Sequence, residues 1–225
     1  MRRLLTASTA TLSVLLLSAS LSAFASDQLP VAALTASTLQ STENAILANN
    51  PELSKNAVEY ALKGYLYAQQ KHQVGNPNYL TIVNFDEPST MDRLHVIDLR
   101  TDKVVLSAHV AQGSGSGNGD IATHFSNVQG SNATSLGAYV TGETYSGEHG
   151  RSEHVIGLEP GINDNAVTRD IEIHKASYVN SDGAGHSWGC FAVSDQKINQ
   201  FINLVQGGSV IFAYATPEQQ DPNLA

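Results

Sequence analysis

The sequence contains a single cysteine among 225 residues, so no disulfide can form within the chain. A lone thiol is either a small buried core residue or a reactive group. Basic side chains are also scarce, since 12 Lys and Arg stand against 21 Asp and Glu for a formal net charge of -9. Proteins that bind nucleic acid neutralise phosphates with a surplus of Lys and Arg, and the composition therefore predicts no nucleic-acid partner.

Charged residues and long apolar runs are both limited. Charged residues make up 15% of the chain and hydrophobic residues 41%, which excludes an intrinsically disordered protein. Beyond residue 25 no stretch approaches about 18 continuous apolar residues, so we predict no integral membrane segment in the mature chain. The length suits one domain of ordinary size rather than two independent enzyme domains.

Residues 1–25 have the pattern of a signal peptide. Two arginines precede an apolar stretch, and Ala23-Phe24-Ala25 has the small-x-small form of a cleavage site. A membrane anchor is the alternative interpretation, but serines and threonines interrupt the apolar stretch repeatedly. We predict export, with a periplasmic or secreted mature protein.

The remaining chain divides into three parts. Residues 26–49 are rich in Ala, Ser, Thr, Gln and Asn with little periodicity, which predicts a flexible lead-in. An Asn-Pro pair at 50–51 has the form of a helix start, and apolar residues at helical spacing follow it. We predict a domain over 50–215 and a tail over 216–225.

After this helix the hydrophobic period falls to about two, and short runs rich in β-branched and aromatic residues predict strands. An antiparallel meander is expected at 79–85, 93–99 and 104–111, and further strands at 137–144, 154–158, 170–174 and 209–215. Ser194 begins a second helix that Gly207-Gly208 ends. The predicted fold class is mainly β (α+β), with two flanking helices.

Four glycines alternate with Ser and Asn over residues 113–119, and a phosphate cradle is one interpretation of this segment. No Lys-Ser/Thr pair and no clear helix follow it, so neither a P-loop nor a dinucleotide-binding fingerprint fits. We predict a mobile loop.

The segment that carries chemistry contains His174 and, sixteen residues later, Cys190. His174 closes a predicted strand, and Cys190 follows Gly189 in a polar loop. Thiol acyl transfer needs a proton acceptor beside the nucleophile, and a glycine lets backbone N–H groups approach an oxyanion. On spacing alone, a nucleophile–base pair and a buried core cysteine are equally good interpretations.

The chain resembles the L,D-transpeptidase catalytic domain (YkuD-like), in particular murein L,D-transpeptidase catalytic domain proteins. The motif of that family is a His, a loop of variable length, then Ser-His-Gly-Cys. It is matched here by His174, Ser187, Gly189 and Cys190. The resemblance continues through the segments 84–89, 93–99, 124–127, 134–137, 142–145, 157–159 and 163–166.

The resemblance implies a mainly β sandwich or barrel domain that performs ping-pong acyl transfer on peptidoglycan stem peptides. Cys190 would attack the carbonyl between the L-centre of a diamino acid and a terminal D-residue, with His174 as general base. Backbone N–H groups of Gly189 and Cys190 would form the oxyanion hole, with Ser187 supporting the loop. The acceptor stays open between cross-linking, protein attachment, D-amino acid exchange and hydrolysis. We expect no cofactor, a monomer and a cell-wall-associated location.

Departures from the motif affect the predicted substrate contacts. Trp188 replaces the usual His, Lys175 replaces the usual small residue after the base, and the segment 191–193 lacks an Arg that often binds a substrate carboxylate. We predict Trp188, Lys175, His186 and Tyr178 as substrate-binding residues. Aromatic packing and a solvated lysine are the alternative interpretations for the first two.

Rival interpretations remain for function and for the base. His149 with His154, or His174 and His186 with Cys190, could be drawn as zinc ligands, but the spacings match no zinc motif and we predict no metal. An L,D-carboxypeptidase or a non-catalytic murein-binding module would retain the same fold. His186 lies in a Gly-rich loop, whereas a strand end holds His174 more rigidly, so His174 is the preferred base. A catalytic Cys190 is expected to be exposed, with a lowered pKa.

Overall fold

The structure, a computed structural model, describes residues 33–217. Within this range the chain forms three α-helices and twelve β-strands. The helices are α1 (Leu39–Asn49), α2 (Lys55–Gln70) and α3 (Asp195–Val205). The strands are β1 (Tyr79–Asn84), β2 (Leu94–Asp98), β3 (Lys103–Ala108), β4 (Gln112–Gly113), β5 (Gly137–Gly147), β6 (Gly150–Gly157), β7 (Glu172–Lys175), β8 (Val179–Asn180), β9 (Gly183–Ala184), β10 (His186–Ser187), β11 (Phe191–Val193) and β12 (Val210–Tyr214). The predicted signal peptide, residues 1–25, and residues 218–225 of the predicted tail lie outside the described range.

Eight strands form one sheet in the order β11-β7-β6-β5-β12-β1-β2-β3. Neighbours are antiparallel except β1 with β12 and β7 with β11. Beyond the edge strand β3 the chain crosses to the other edge, where the Ala111 N–H donates to the Ala192 carbonyl oxygen at 2.9 Å. The sheet is therefore nearly closed and barrel-like, which confirms the predicted mainly β fold.

Burial on both faces explains the sequence of β12. Because successive strand residues point to opposite faces, Val210 and Phe212 pack with α1 and α2, while Ile211 and Ala213 pack with α3. A strand that is covered on both faces needs a continuous apolar run, and β12 is one. The same alternation distributes most of the other buried apolar sheet residues between two clusters, one beneath α1 and α2 and the other beneath α3.

The strand predictions are confirmed in their main features. The predicted meander is formed by β1, β2 and β3, which pair antiparallel. The β5–β6 hairpin is longer than predicted, since β5 extends to Gly147 and β6 begins at Gly150. Glu148 and His149 therefore lie at the tip of a long hairpin, close to the site described below.

The prediction of two helices and a flexible lead-in was wrong for residues 39–49, which form α1. Tertiary contacts explain the difference. Ile46 is fully buried among α2 and the sheet, and the backbone N–H and carbonyl of Leu34 both bond to the Gln69 side chain on α2. The local pattern is weak, but packing against α2 supplies the stability that a short isolated helix lacks. The folded unit thus begins before residue 50.

The start of α2 is also displaced from the Asn-Pro pair at 50–51 where the sequence placed it. Asn50 ends α1, since its N–H donates to the Ile46 carbonyl, and its side-chain oxygen accepts the Val104 N–H. Ser54 is the N-cap of α2, and its hydroxyl accepts the Ala57 N–H. No helix among residues 33–217 is long and apolar enough to cross a membrane.

The first half of the glycine-rich segment, residues 113–116, is packed rather than a free loop, whereas residues 118–119 are exposed. A Cβ at Gly113 would lie 2.3 Å from the Asn132 carbonyl oxygen, and one at Gly115 would lie 2.1 Å from that of Ser131. These glycines allow two backbone segments to touch, which no larger residue would permit. The segment therefore has a packing role beneath the site.

Candidate active site

The parallel pair β7 and β11 brings His174 and Cys190 to one place. Ala192 of β11 pairs with His174 of β7, and Cys190 directly precedes β11. Both side chains line one cavity of about 340 Å³. Its other lining residues are His149, Tyr178, His186, Ser187 and Trp188. The two motif residues are distant in sequence but converge because their strands are hydrogen-bonded neighbours.

Ser187 holds the loop that carries the thiol. Its hydroxyl lies 2.9 Å from the Cys190 carbonyl oxygen and 3.3 Å from that of Gln112, and it accepts the Gly189 N–H at 3.0 Å. These contacts close a tight turn over residues 187–190. Ser187 is buried, so its hydrogen bonds are shielded from water and the turn is well defined.

Gly189 is required by both conformation and space. Its φ of +117° lies in the region that favours glycine, and a Cβ there would lie 2.8 Å from the Ala133 carbonyl oxygen. Its N–H is already donated to Ser187, which differs from the predicted role of this N–H in an oxyanion hole. Among the hydrogen bonds of residues 33–217 none is donated by the Cys190 N–H, which leaves that group as the candidate oxyanion donor.

Arg93 lies beneath this loop. It belongs to one of the segments that resemble the family, but the sequence suggested no role for it. Its side chain is fully buried, and it donates to the Gln112 side-chain oxygen at 3.0 Å and twice to the Val110 carbonyl. Burial lowers the pKa of Arg93 to about 10, so it stays charged at neutral pH. Gln112 in turn pairs with His186 across β4 and β10. Arg93 therefore supports the strand on which the thiol loop rests.

The thiol of Cys190 is a protonated group at neutral pH. Its Sγ lies 3.4 Å from the Asp170 carbonyl oxygen, the acceptor for the S–H. Burial raises the pKa of Cys190 to about 11, and the Glu172 N–H and the Arg169 charge oppose that rise only in part. The expectation of a lowered pKa was therefore wrong, because it omitted the cost of placing a thiolate in a partly buried site.

His174 is oriented as a proton acceptor. Its Nδ1 lies 2.9 Å from the Lys175 carbonyl oxygen, and since a carbonyl only accepts, Nδ1 carries the proton and Nε2 is free. The side chain is 5% exposed. Burial lowers the pKa of His174, and the hydrogen bond to Lys175 offsets part of that shift. A neutral imidazole with an unprotonated Nε2 thus shares a cavity with a neutral thiol.

His149, which the sequence suggested only as a zinc ligand, stacks on the base. The two rings have centroids 4.4 Å apart and an interplanar angle of 23°. His149 reaches this position from the tip of the β5–β6 hairpin, and the positive charge that it can carry further lowers the pKa of His174. No local signal in the sequence could reveal the contact, because it depends on the length of the hairpin.

The zinc alternative gains no support. His154 does not join His149; it stacks on Tyr145 with centroids 4.5 Å apart, and its Nδ1 lies 3.6 Å from Glu172. Within the part of the chain that the structure describes, no group of three or more His, Cys, Asp or Glu side chains is arranged to hold a metal ion.

Three of the predicted substrate contacts line the thiol cavity. Trp188 is 76% exposed, and it also borders a separate cavity of about 250 Å³. Tyr178 and His186 are exposed on the cavity wall formed by the loop between the base and the thiol. Within residues 33–217 no hydrogen bond holds the ring of His186, in contrast to that of His174.

Lys175 lies outside the thiol cavity. Its ammonium is 2.6 Å from Asp195 Oδ1, at a neighbouring cavity of about 690 Å³. The cation whose charge lowers the pKa of the thiol is instead Arg169, whose guanidinium donates to the carbonyls of Ser126 and Ala133. Sequence reasoning missed Arg169, since nothing in its local pattern separates it from a surface arginine.

Comparison with known proteins identifies the family. An L,D-transpeptidase from Mycobacterium smegmatis is similar at 15% identity over 61% of this chain and 59% of that chain, with a TM-score of 0.39. Residues 123-326 of an L,D-transpeptidase from Xylanimonas cellulosilytica are similar at 15% identity over 59% of this chain and 58% of that chain, with a TM-score of 0.36. An L,D-transpeptidase from Stackebrandtia nassauensis is similar at 11% identity over 79% of this chain and 91% of that chain, with a TM-score of 0.38. This chain thus spans less than two thirds of the first two. No curated protein matches the sequence. The sequence profile of the L,D-transpeptidase catalytic domain matches residues 49–214, which is most of the chain and contains every residue of the cavity. The chain therefore belongs to the L,D-transpeptidase catalytic domain family.

Proposed function

We propose that this protein is an exported cysteine acyltransferase that acts on peptidoglycan stem peptides as an L,D-transpeptidase. The observation that carries the proposal is that Cys190 and His174 line one cavity, while a backbone carbonyl holds Nδ1 of His174. Family membership supplies the reaction class. A murein-binding module without catalysis would need neither a free thiol nor an oriented imidazole at that point.

Acylation begins with proton transfer from Cys190 to Nε2 of His174. As the proton leaves, Sγ attacks the carbonyl carbon between the L-centre of the diamino acid and the terminal D-residue. The oxyanion that forms is stabilised by the Cys190 N–H. The C–N bond then breaks, the leaving amine takes the proton from His174, and a thioester on Cys190 remains.

The pKa shifts of Cys190 and His174 support one route of thiol activation. Because burial raises the pKa of Cys190 to about 11, the thiol form predominates at pH 7. A resting thiolate–imidazolium pair is therefore disfavoured, and the proton must move to His174 during the attack. This is general base catalysis, for which the neutral state of buried His174 is required.

The thioester is resolved by an acceptor that enters after the D-residue has left. An amine yields a new amide, whereas water yields the free acid, so transpeptidase and carboxypeptidase share the same acyl-enzyme. Export with removal of residues 1–25, a cell-wall-associated location and a monomeric state complete the proposal.

Intact mass measurement tests the acyl-enzyme directly. The mature protein is incubated with a disaccharide-tetrapeptide, and we expect an adduct equal to the substrate without its terminal D-residue. Cys190→Ala should show no adduct and no turnover while retaining its fold, as measured by circular dichroism. His186→Ala serves as the matched control that removes another cavity side chain without removing the nucleophile. Turnover retained in Cys190→Ala would exclude the proposed mechanism.

A further inference from the structure

The cavity of about 250 Å³ that Trp188 shares with the thiol cavity has no part in the proposed reaction. We call it the polar cavity. Asp170 also lines it, and the carbonyl oxygen of that residue accepts the Cys190 S–H at 3.4 Å. Its other lining residues include Gln129, Asn132, Thr168 and Arg169. A group held in the polar cavity would therefore lie beside a peptide held at the thiol.

The charges of the polar cavity favour a neutral ligand. One cation, Arg169, stands against one anion, Asp170, so the lining carries no net charge. The two terminal nitrogens of Arg169 already donate four hydrogen bonds within the protein, to the carbonyl oxygens of Ser126 and Ala133 and the hydroxyl oxygens of Ser131 and Ser135. A guanidinium has five N–H groups, so only the Nε–H is left for a ligand. A carboxylate or phosphate, which prefers two parallel N–H donors, is therefore poorly matched.

The uncharged polar side chains of the cavity are available to a ligand. Among residues 33–217 no hydrogen bond engages the side chains of Gln129, Asn132 or Thr168, and all three residues are exposed. Each amide offers N–H donors and a carbonyl acceptor, and the threonine hydroxyl both donates and accepts. The Asp170 carboxylate adds acceptors alone. This set of groups matches a ligand that carries several hydroxyl groups and an amide.

Trp188 adds an apolar surface to these polar groups. The residue is 76% exposed, so a large part of its indole is accessible to a ligand. The C–H groups on one face of a pyranose ring are weakly positive, and they pack on the negative face of an aromatic ring while the hydroxyl groups point outward. The volume of about 250 Å³ lies below the roughly 300–1,000 Å³ of pockets for drug-sized ligands. The cavity therefore suits a single sugar ring better than a peptide.

We propose that the polar cavity binds one N-acetylhexosamine unit of the glycan strand that carries the stem peptide. The proposal rests on the proposed function and extends substrate recognition from the peptide to the sugar. The pyranose ring would stack on Trp188, and its acetamido group would bond to the amides of Gln129 and Asn132. A ring hydroxyl would donate to Asp170. No covalent bond of the sugar changes, so the site contributes binding alone.

Tryptophan fluorescence tests the site without turnover, because Trp188 is the only tryptophan of the chain. N,N′-diacetylchitobiose, a neutral dimer of N-acetylglucosamine, is titrated into the mature wild-type protein and into Cys190→Ala. We expect a saturable blue shift of the emission in both, since the sugar replaces water on the indole. Cellobiose has hydroxyl groups in place of the acetamido groups, and it should bind about two- to twelvefold more weakly, the effect of one lost hydrogen bond.

Two variants test whether the sugar lies in the polar cavity. Gln129→Ala and Asn132→Gly should each weaken chitobiose binding by about two- to twelvefold. Glycine tolerates the φ of +52° at position 132, so the second variant removes the side chain without straining the backbone. Gln200→Ala, at an exposed glutamine on α3 outside the cavity, is the matched control and should leave binding unchanged. Absence of a saturable shift, or binding that both cavity variants leave undiminished, would overturn the sugar site.

Acylation kinetics test whether the bound sugar belongs to the strand that carries the stem peptide. The kcat/KM of the disaccharide-tetrapeptide should exceed that of the free tetrapeptide, and Gln129→Ala should lower only the former. Equal kcat/KM values for the two substrates would overturn this assignment. Absence of acylation by either substrate, with chitobiose still bound, would overturn the proposed function and leave the sugar site standing.

Discussion

Replacement of His149 tests how the hairpin controls the base. The ring of His149 covers His174 at a centroid distance of 4.4 Å, so it both excludes water from the base and fixes the plane of its imidazole. A stacked aromatic pair contributes about 0.5–1.5 kcal/mol beyond the area that it buries. His149→Ala should therefore lower kcat/KM by about two- to twelvefold through loss of the aligned imidazole.

The same variant should also shift the pH dependence of kcat/KM in a defined direction. Burial is the main cause that lowers the pKa of His174, and the positive charge available to His149 lowers it further. His149→Ala weakens both effects, so the pKa of His174 rises towards its ordinary value. His149→Phe keeps the stacked cover and removes only the charge, so its pKa shift is smaller. The acidic limb of kcat/KM therefore moves to higher pH in the order wild type, Phe, Ala.

NMR titration of His174 gives a measurement that is independent of turnover. His154→Ala is the matched control, because His154 lies on the same hairpin but stacks on Tyr145 rather than on the base. The titration of His174 in the His154→Ala variant should coincide with that in the wild type. An unchanged or lowered pKa of His174 in His149→Ala would refute the assigned contact, as would an equal shift in His154→Ala.

Four further outcomes are expected. His174→Ala should reduce the acylation rate by at least about a hundredfold and His186→Ala much less, as measured by adduct formation, and the reverse order would make His186 the base. Alkylation of native Cys190 by iodoacetamide should keep accelerating above pH 9, since burial raises its pKa to about 11, and a plateau below pH 8 would contradict that environment. Gly189→Ala should lower the free energy of unfolding in urea by about 1–3 kcal/mol because of its left-handed φ, and a neutral effect would contradict the turn geometry. Arg93→Met should cost about 3 kcal/mol in the same assay because buried carbonyls lose their donor, and retained stability would show that water replaces it.

The sequence predicted most strands correctly and one helix not at all. Alternating apolar residues determine which face of a strand is buried, so β1, β2, β3 and β12 could be located from local pattern. Helix α1 has no comparable pattern. It forms because Ile46 and Leu34 find apolar partners on α2 and the sheet, and such partners are not visible in a local window.

For the site, too, some properties follow from the local sequence and others from the tertiary structure. By itself the sequence determined the reactive groups, since a lone cysteine after a glycine and a histidine at a strand end carry a family pattern that is largely local. Only the tertiary structure decided how those groups behave. Cys190 has a raised pKa because surrounding chain segments exclude water from it, and His174 has a free Nε2 because a backbone carbonyl holds Nδ1. The burial of Cys190, the tautomer of His174 and the direction of the Lys175 side chain all depend on distances between residues that are remote in sequence. Only the folded chain defines those distances.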